Sequence, residues 1–307
     1  MSGKLIIFQG LPASGKSTKA ADLILRSQMS AEDASQWISR VNQDEIRKEL
    51  GWTSWGSWDF NSREERRVPG IKADRVRAVL RAGQTVISDD TNINPDTVTK
   101  LQTVATECGA AVEILRMNTH LDECIRRDQL RGPGCVGEKV IREMAGKWAR
   151  VLDPGDQPFF PKVREAGRRK AVVCDLDGTI SLFERKGHRG PYDASKCDED
   201  ECNQIVRETL HALLHHYEYA PIYLSGRYDT FRPQTETFLR QNGCPDGPLY
   251  MRAQGDSRID WLVKGELFER HVREYYDVKL VLDDRDQVVK FWRGIGLTCF
   301  QVADGKF

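Results

Sequence analysis

The sequence predicts an α/β protein of two domains, each a mainly parallel sheet flanked by helices. Three observations carry that expectation. Short apolar runs alternate with helical segments, the order that winds a parallel sheet. Two of the runs end in a turn that bears chemistry: Leu5-Ile6-Ile7-Phe8 leads to GLPASGKS, Gly10 to Ser17, and Ala171-Val172-Val173-Cys174 leads to DLDGT, Asp175 to Thr179. Between them lies a stretch dense in breakers, Asp153 to Pro161, in a chain of 307 residues, long enough for two domains. The boundaries read as a first domain over 1–152, a linker over 153–168 with aromatics able to dock on a domain, and a second domain over 169–307.

Composition is that of an ordinary soluble globular protein, 39% hydrophobic and 30% charged. The zero net charge hides an asymmetry: residues 1–150 carry 23 basic and 20 acidic side chains, and residues 171–307 carry 18 and 23. Neither half is a broadly basic nucleic-acid binder, so a polyanion must be held by local clusters of Arg and Lys. The acidic second half suits a carboxylate site for a divalent cation, although surface Asp and Glu account for it equally. No apolar run approaches a membrane span, and the N-terminus lacks a signal-peptide pattern. Eight scattered cysteines, with CDEDEC at 197–202 off any usual zinc spacing, read as reduced thiols of a cytosolic protein.

In the first domain, a strand, a Gly-rich turn and a helix from Thr18 aim several backbone N–H groups and a helix dipole at one spot. Gly10, Ser14, Gly15 and Thr18 belong to this cradle. Lys16 can reach the β- and γ-phosphates of a nucleoside triphosphate, and the Ser17 hydroxyl can hold Mg²⁺. A second strand, Trp37 to Val41, runs into Asn42 to Arg47 at the crevice edge of the sheet. There Asp44 can take the proton of an attacking hydroxyl and Arg47 can grip an acceptor phosphate. An N-cap at Asp44 and a solvated Arg47 explain the same letters. Trp52, Trp55 and Trp58 either stack bases or pack a loop. Ser62 to Ala82 reads as a charged helix broken at Pro69-Gly70, followed by the strand Thr85 to Ser88. Of the strand-end pair Asp89-Asp90, Asp90 is the preferred candidate for supporting Mg²⁺ or fixing the acceptor loop. After a further strand, Ala111 to Met117, the segment with Arg126, Arg127 and Arg131 before RGPG looks like a lid closing on the transferring phosphate. A solvated basic face is the alternative.

In the second domain, Asp175 and Asp177 share one side of an extended strand end. There they can share Mg²⁺, with one carboxylate attacking phosphorus and the other serving as acid and base. Three histidines at helical spacing, His211, His215 and His216, lack a third ligand and read as a surface helix.

DLDGT resembles the signature of the haloacid-dehalogenase-type phosphotransferases, whose first aspartate is the nucleophile and second the general acid/base. Ser225 at the end of Pro221 to Leu224, Lys264, and the acidic pair Asp283-Asp284 fit that family's remaining motifs in order, with Asp284 the preferred Mg²⁺ contact and Asp283 beside it. Joined to a phosphate-loop kinase, the whole chain resembles the bacteriophage, T-even type polynucleotide 5′-kinase/3′-phosphatases. The resemblance implies a P-loop kinase fold and then a haloacid-dehalogenase-like fold. It implies that Lys16 and Ser17 hold ATP and Mg²⁺, and that Asp44 is the base for a 5′-hydroxyl. It places Arg47 on the neighbouring phosphate and Arg127 and Arg131 on the donor, and makes Asp90 required without fixing its role. It sets Arg189, Ser225, Gly226, Arg227, Arg252 and Lys264 around a 3′-phosphate. Further implications are DNA or RNA ends as partners, action upstream of a ligase, a homo-oligomer such as a tetramer, no membrane, and a cytoplasmic location, the host cytosol for a phage protein. The Trp-rich segment and the short connection after Arg227 depart from the family pattern. The competing expectations are a small-molecule kinase fused to a small-molecule phosphatase, marked by turnover of nucleosides or sugars, and a non-catalytic end-binding protein, marked by binding without turnover.

Overall fold

The computed structural model describes residues 3–30, 37–53, 59–117, 119–163, 167–183, 187–190 and 193–305. Trp55, Trp58, Pro191 and Tyr192 lie outside the described residues. The chain divides into two compact units, Met1–Val151 and Leu152–Phe307.

The first unit runs β1 (Lys4–Gln9), α1 (Lys16–Ser30), β2 (Ile38–Val41), α2 (Gln43–Glu49), α3 (Arg63–Arg81), β3 (Thr85–Ser88), α4 (Pro95–Glu107), β4 (Ala111–Arg116), α5 (Leu121–Gln129) and α6 (Glu138–Ala149). Its four strands form a parallel sheet in the order β2-β3-β1-β4, with Leu5 paired to Val86 on one side and Val112 on the other. The strand β1 is apolar without alternation because both its faces are covered. Leu5 and Ile7 point into a core with Val68, Val76, Leu80 and Val98, whereas Ile6 and Phe8 meet Ala20 and Ile87 on the other face. The strand order reverses beside β1, so its C-terminal end opens into the crevice where ligands bind in such sheets.

The expected break at Pro69 is absent. Pro69 lies inside α3, which is continuous. Val68 before it and Lys72, Val76 and Leu80 after it are all buried along one side of the helix, and that burial offsets the hydrogen bond the proline removes.

The second unit runs β5 (Arg169–Cys174), β6 (Ser181–Leu182), β7 (Glu201–Cys202), α7 (Gln204–Tyr217), β8 (Ala220–Tyr228), α8 (Arg232–Gln241), β9 (Leu249–Arg252), α9 (Asp260–His271), β10 (Tyr276–Asp283), α10 (Asp286–Gly294) and β11 (Cys299–Gln301). Five of these strands form a parallel sheet, β11-β10-β5-β8-β9, and β6 pairs antiparallel with β7. The central β5 delivers Asp175 at its C-terminal end, flanked by the ends of β8 and β10, so three strand ends converge on one place. The aromatics of the breaker-rich stretch belong to this unit. Phe159 stacks on Trp261 with centroids 6.1 Å apart, and Phe160 meets Phe291 edge-on at 5.5 Å. The lack of a side chain at Gly265 makes room for Phe160, whose ring would lie 2.4 Å from a Cβ there. All eight cysteines are free thiols. Among the described residues, no helix is long and apolar enough to cross a membrane.

Candidate active sites

In the first unit the turn after β1 is closed by Ser14 N–H donating to the Leu11 carbonyl at 3.2 Å and by Gly10 N–H donating to the Thr91 carbonyl at 3.0 Å. Glycine is needed twice. A Cβ at Gly10 would stand 2.6 Å from Ser14 Oγ, and Gly15 has φ +93°, in the region that favours glycine. Lys16 is buried, and its Nζ donates to the carbonyls of Gly10 at 2.9 Å and Leu11 at 2.7 Å. Burial pulls its pKa down to about 8.

The strand-end carboxylate beside Ser17 is Asp89, not Asp90. Asp89 accepts from Arg40 at 3.0 and 2.8 Å, from Asn42 at 2.9 Å and from the Ser17 hydroxyl. Burial works to raise its pKa, but these donors hold it below the usual carboxylate value. Asp90 instead accepts the Gln43 N–H at 2.8 Å and pairs with the buried Lys72 at 2.7 Å. Its place is at the start of α2, where it steadies the helix carrying Asp44. Nothing in the letters separates two adjacent aspartates at a strand end, and their opposite side-chain directions decide the matter.

The helix α2 is capped by Asn42, whose side chain accepts from Asp44 N–H at 2.8 Å, so the capping explanation of Asp44 falls. Asp44 remains half exposed, and burial raises its pKa against the pull of Arg47. Arg47 Nη1 donates to Asp44 at 2.7 Å, while its Nε and Nη2 form a fork on Glu65 at 2.9 and 2.7 Å. The Arg47 guanidinium also sits 5.5 Å over the Phe60 ring. Glu65 carries no catalytic signature in the sequence. Ser62-x-x-Glu65 has the form of a capping box, and Ser62 does cap α3 by accepting from Glu65 N–H at 3.0 Å. The returning bond of such a box is replaced, since Ser62 N–H donates to the Asp59 carbonyl and the Glu65 side chain serves Arg47. The Trp52 side chain is buried, as a packing residue is, and its backbone N–H donates to the Arg47 carbonyl at 2.9 Å.

The arginines of α5 differ in place. Arg126 and Arg127 both pair with Glu123 at 2.6 Å, and a methyl at Gly15 would lie 3.7 Å from Arg127 Nη1, so Arg127 flanks the phosphate turn. Arg131 stands 3.5 Å from the buried Asp128, and its charge is felt at Lys16. Asp128 also accepts from Val136 N–H at 2.9 Å and Gly137 N–H at 2.8 Å, which pins the loop bearing Arg131.

In the second unit Asp175 lies at the floor of a cavity of about 660 Å³. Lys264 Nζ lies 2.8 Å from Asp175, 3.0 Å from Asp283 and 3.5 Å from Asp260. Burial pushes the Asp175 carboxyl well up, and Asp283 and Asp284 add to this against Lys264. Asp284 is pushed up to about 6, by burial and then by Asp283. One ligand atom from each of Asp175, Asp283 and Asp284 lies within 4.8 Å of the others, a set of hard oxygen donors suited to a divalent cation.

The Asp177 carboxylate does not join that set, contrary to expectation. It accepts from Arg227 at 2.7 and 2.8 Å and from Arg189 at 2.6 Å. Despite burial, the two guanidinium groups hold its pKa below the ordinary value. Arg252 is likewise spent elsewhere, on the carbonyls of Gly226 at 2.7 Å, Asp256 at 3.0 Å and Arg258 at 2.6 Å, and on Asp260 at 2.9 Å. It knits the cavity wall together. Gly226 must be glycine, because a Cβ would stand 2.2 Å from Asp260 Oδ1. Ser225 is buried and accepts the Arg227 N–H at 3.1 Å.

Asp200 lies inside CDEDEC, whose acidic letters alone suit a solvated face. It is buried and accepts from Arg189 Nε at 2.8 Å, Arg227 Nη2 at 3.3 Å and the Ser181 hydroxyl, with His188 Nε2 at 3.1 Å. Cys197 and Cys202, both buried, were the available signal that this acidic run faces inward.

A phosphate-binding turn and an Asp–Arg pair in the first unit, with a strand-end aspartate cluster and its lysine in the second, are the parts of a phosphate-loop kinase fold followed by a haloacid-dehalogenase-type fold. Residues 169–307 match the family model described as the polynucleotide kinase PNKP phosphatase domain, and residues 5–151 match an AAA domain. The chain is 31% identical to a chain of the solved "Pnkp1/Rnl/Hen1 RNA repair complex", covering 100% of this chain and 97% of that one, with a TM-score of 0.44. It is 25% identical over 315 residues to the "Putative bifunctional polynucleotide kinase/RNA ligase" of Autographa californica nuclear polyhedrosis virus, covering 98% of this chain and 43% of that protein. It therefore spans less than half the length of that viral relative. By its full-length sequence identity and its phosphatase-domain match, the chain belongs to the polynucleotide kinase–phosphatase family.

Proposed function

We propose that the first unit transfers the γ-phosphate of ATP to 5′-hydroxyl ends of DNA or RNA, and that the second removes 3′-phosphate and 2′,3′-cyclic phosphate from the opposing ends. The observation that carries this reading is the pairing, in one chain, of the phosphate turn and its Asp44–Arg47 pair with the Asp175–Lys264–Asp283–Asp284 cluster.

In the kinase, Asp44 accepts the proton of the 5′-hydroxyl as its oxygen attacks the γ-phosphorus and the bond to the β-phosphate oxygen breaks. Arg47, held by Glu65, contacts the adjacent strand phosphate. Lys16, Arg127 and Arg131 neutralise charge on the donor. Ser17 and Asp89 are the side chains suited to a Mg²⁺ ion carried with ATP.

In the phosphatase, the Asp175 carboxylate attacks phosphorus and forms an aspartyl-phosphate, and the bond to the 3′-oxygen breaks. Asp177 gives that oxygen its proton, then takes one from the water that cleaves the aspartyl-phosphate. The incoming phosphate offers Arg189 and Arg227 a second partner, which loosens their hold on Asp177 and lets its pKa rise toward that of a working acid. Mg²⁺ held by Asp175, Asp283 and Asp284 would offset the repulsion between carboxylate and phosphate.

The products, a 5′-phosphate and a 3′-hydroxyl, are what a nucleic-acid ligase consumes, and the viral relative carries RNA ligase in its name. Eight free thiols favour the cytosol as the place of action. The deciding experiment takes one oligonucleotide with a 5′-hydroxyl and a 3′-phosphate, incubates it with protein, ATP and Mg²⁺, and resolves both ends by mass. Phosphate gained at the 5′ end and lost at the 3′ end is the expected result. Unchanged ends, with nucleosides or sugar phosphates turned over instead, would sink the polynucleotide reading.

A further inference from the structure

We propose that Tyr228 and Phe231 form a stacking site for the nucleobase of the 3′-terminal nucleotide, so that the phosphatase recognises the strand end and not the phosphate alone. The inference rests on the 3′-phosphatase reading above. It starts from the size of the cavity. At about 660 Å³ it is large enough for a drug-sized ligand, and the phosphate needs only the floor lined by Asp175, Asp177 and Lys264. Tyr228 and Phe231 line the same cavity. Tyr228 is the last residue of β8, next to Arg227 whose guanidinium holds Asp177, and Phe231 closes the short 3-10 turn Asp229–Phe231 that leads directly into α8. Both rings are therefore fixed on a short, ordered connection close to the reacting phosphate.

Both side chains are only half buried. The other aromatics around them have partners. Phe183, on the same cavity, carries Arg189 over its face at 4.6 Å, Phe159 stacks on Trp261, and Tyr250 stacks on His271. Among the described residues, no ring or guanidinium stacks on Tyr228 or Phe231. Two unpartnered aromatic rings in the wall of a cavity whose floor binds phosphate suit a flat, weakly polar group joined to that phosphate through a sugar. A base meets that description, and all four bases have a π-face, so the site is tolerant of sequence. Arg252 and Asp260, locked to each other at 2.9 Å, give the neighbouring wall a fixed shape.

The test compares two strands alike except at the 3′-phosphorylated terminal residue, which carries a base in one and is an abasic sugar in the other. Wild-type protein, Tyr228→Leu, Phe231→Leu and the double variant are assayed with both strands. Leucine keeps apolar bulk and removes the π-face. The expected result is a KM on the base-bearing strand raised roughly tenfold by each substitution, with kcat unchanged and the abasic strand unaffected. Tyr228→Phe is expected to behave as wild type. Equal losses on both strands, or none on either, overturn the stacking site while leaving the phosphatase reading intact. A wild-type protein that hydrolyses neither end overturns both.

Discussion

The two catalytic sites hold their charges in opposite ways. In the phosphatase unit the side chains of Asp175, Lys264 and Asp283 are 6%, 2% and 2% exposed and already bonded to one another. In the kinase unit Asp44 and Arg131 are 42% and 45% exposed, and Arg131 lies at the end of a lid-like helix. The difference follows from the chemistry proposed for each. A carboxylate nucleophile must meet its phosphorus within a prearranged field, where burial strengthens every charge. A kinase must admit two substrates and close on them, so part of its machinery has to stay mobile and wet until they bind.

The largest expected effects test whether the sites are independent. Asp175→Asn should lower 3′-phosphatase activity by about 10⁴-fold or more and spare 5′-kinase activity, because removing a covalent nucleophile leaves only binding and field effects. Lys16→Ala should do the reverse. Both activities are read on one preparation with the doubly modified oligonucleotide. Loss of both activities from either substitution, with an unchanged melting temperature, would end the two-site account.

The next comparison sets two carboxylates that orient arginines against each other. Asp200 has a fully buried side chain between Arg189 and Arg227, whereas Glu65 is 18% exposed behind Arg47. Asp200→Ala leaves two buried guanidinium groups to share the single carboxylate of Asp177 and should cost about 3–5 kcal/mol of stability, along with most phosphatase activity. Glu65→Ala leaves Arg47 with Asp44 and water. Its stability cost should stay near ~1 kcal/mol, with the acceptor KM raised by roughly tenfold and the ATP KM unchanged. Thermal melts and steady-state kinetics decide both. Equal penalties at the two positions would contradict the contrast drawn from burial.

The two sites should also part company in pH. Burial holds Lys16 at about 8, so it is charged below that value and loses its proton as pH rises through it. The kcat/KM for ATP should therefore fall above pH 8. Asp284, pushed up by burial to about 6, is protonated below that value. A cation must displace that proton, so the Mg²⁺ needed for half-maximal phosphatase activity should rise by about tenfold or more per unit below pH 6. A Mg²⁺ requirement flat from pH 5 to 7 would contradict the placement of Asp284.

The fold was legible because it rests on local signals: apolar runs, the GLPASGKS turn and DLDGT each declare a strand end on their own. Lys16 and Asp175 belong to those same turns, whereas Lys264 and Asp284 follow only from the resemblance to the haloacid-dehalogenase-type motifs. What stayed hidden depends on contacts between distant segments. Asp89 meets Arg40, 49 positions away, and Arg227 meets Asp177 across 50. The partners of a side chain follow from the register of neighbouring strands, which a single sequence read locally does not supply. Pro69 shows the opposite error, a strong local signal overridden by the burial of α3 on either side.

The smallest expected effect is within the lid, and it separates geometry from charge count. Arg126, Arg127 and Arg131 look equivalent by charge pattern, and only the family resemblance singles out the last two. Arg126 is 61% exposed and pairs with Glu123 on the surface, an arrangement worth little in water. Arg127 flanks Gly15, and Arg131 is tied to Asp128 and felt at Lys16. Arg126→Ala should change kinase kcat/KM by less than about twofold, the size expected of a screened surface charge. Arg131→Ala should cost about 10²–10³-fold, as removal of a group that stabilises transition-state charge does. If the lid acts only as a diffuse positive field, the two substitutions will weaken the kinase equally and both losses will shrink in high salt. If it acts by placement, only the Arg131 loss will be large and it will persist at high salt, because a charge brought against the transferring phosphate in a closed site is poorly screened.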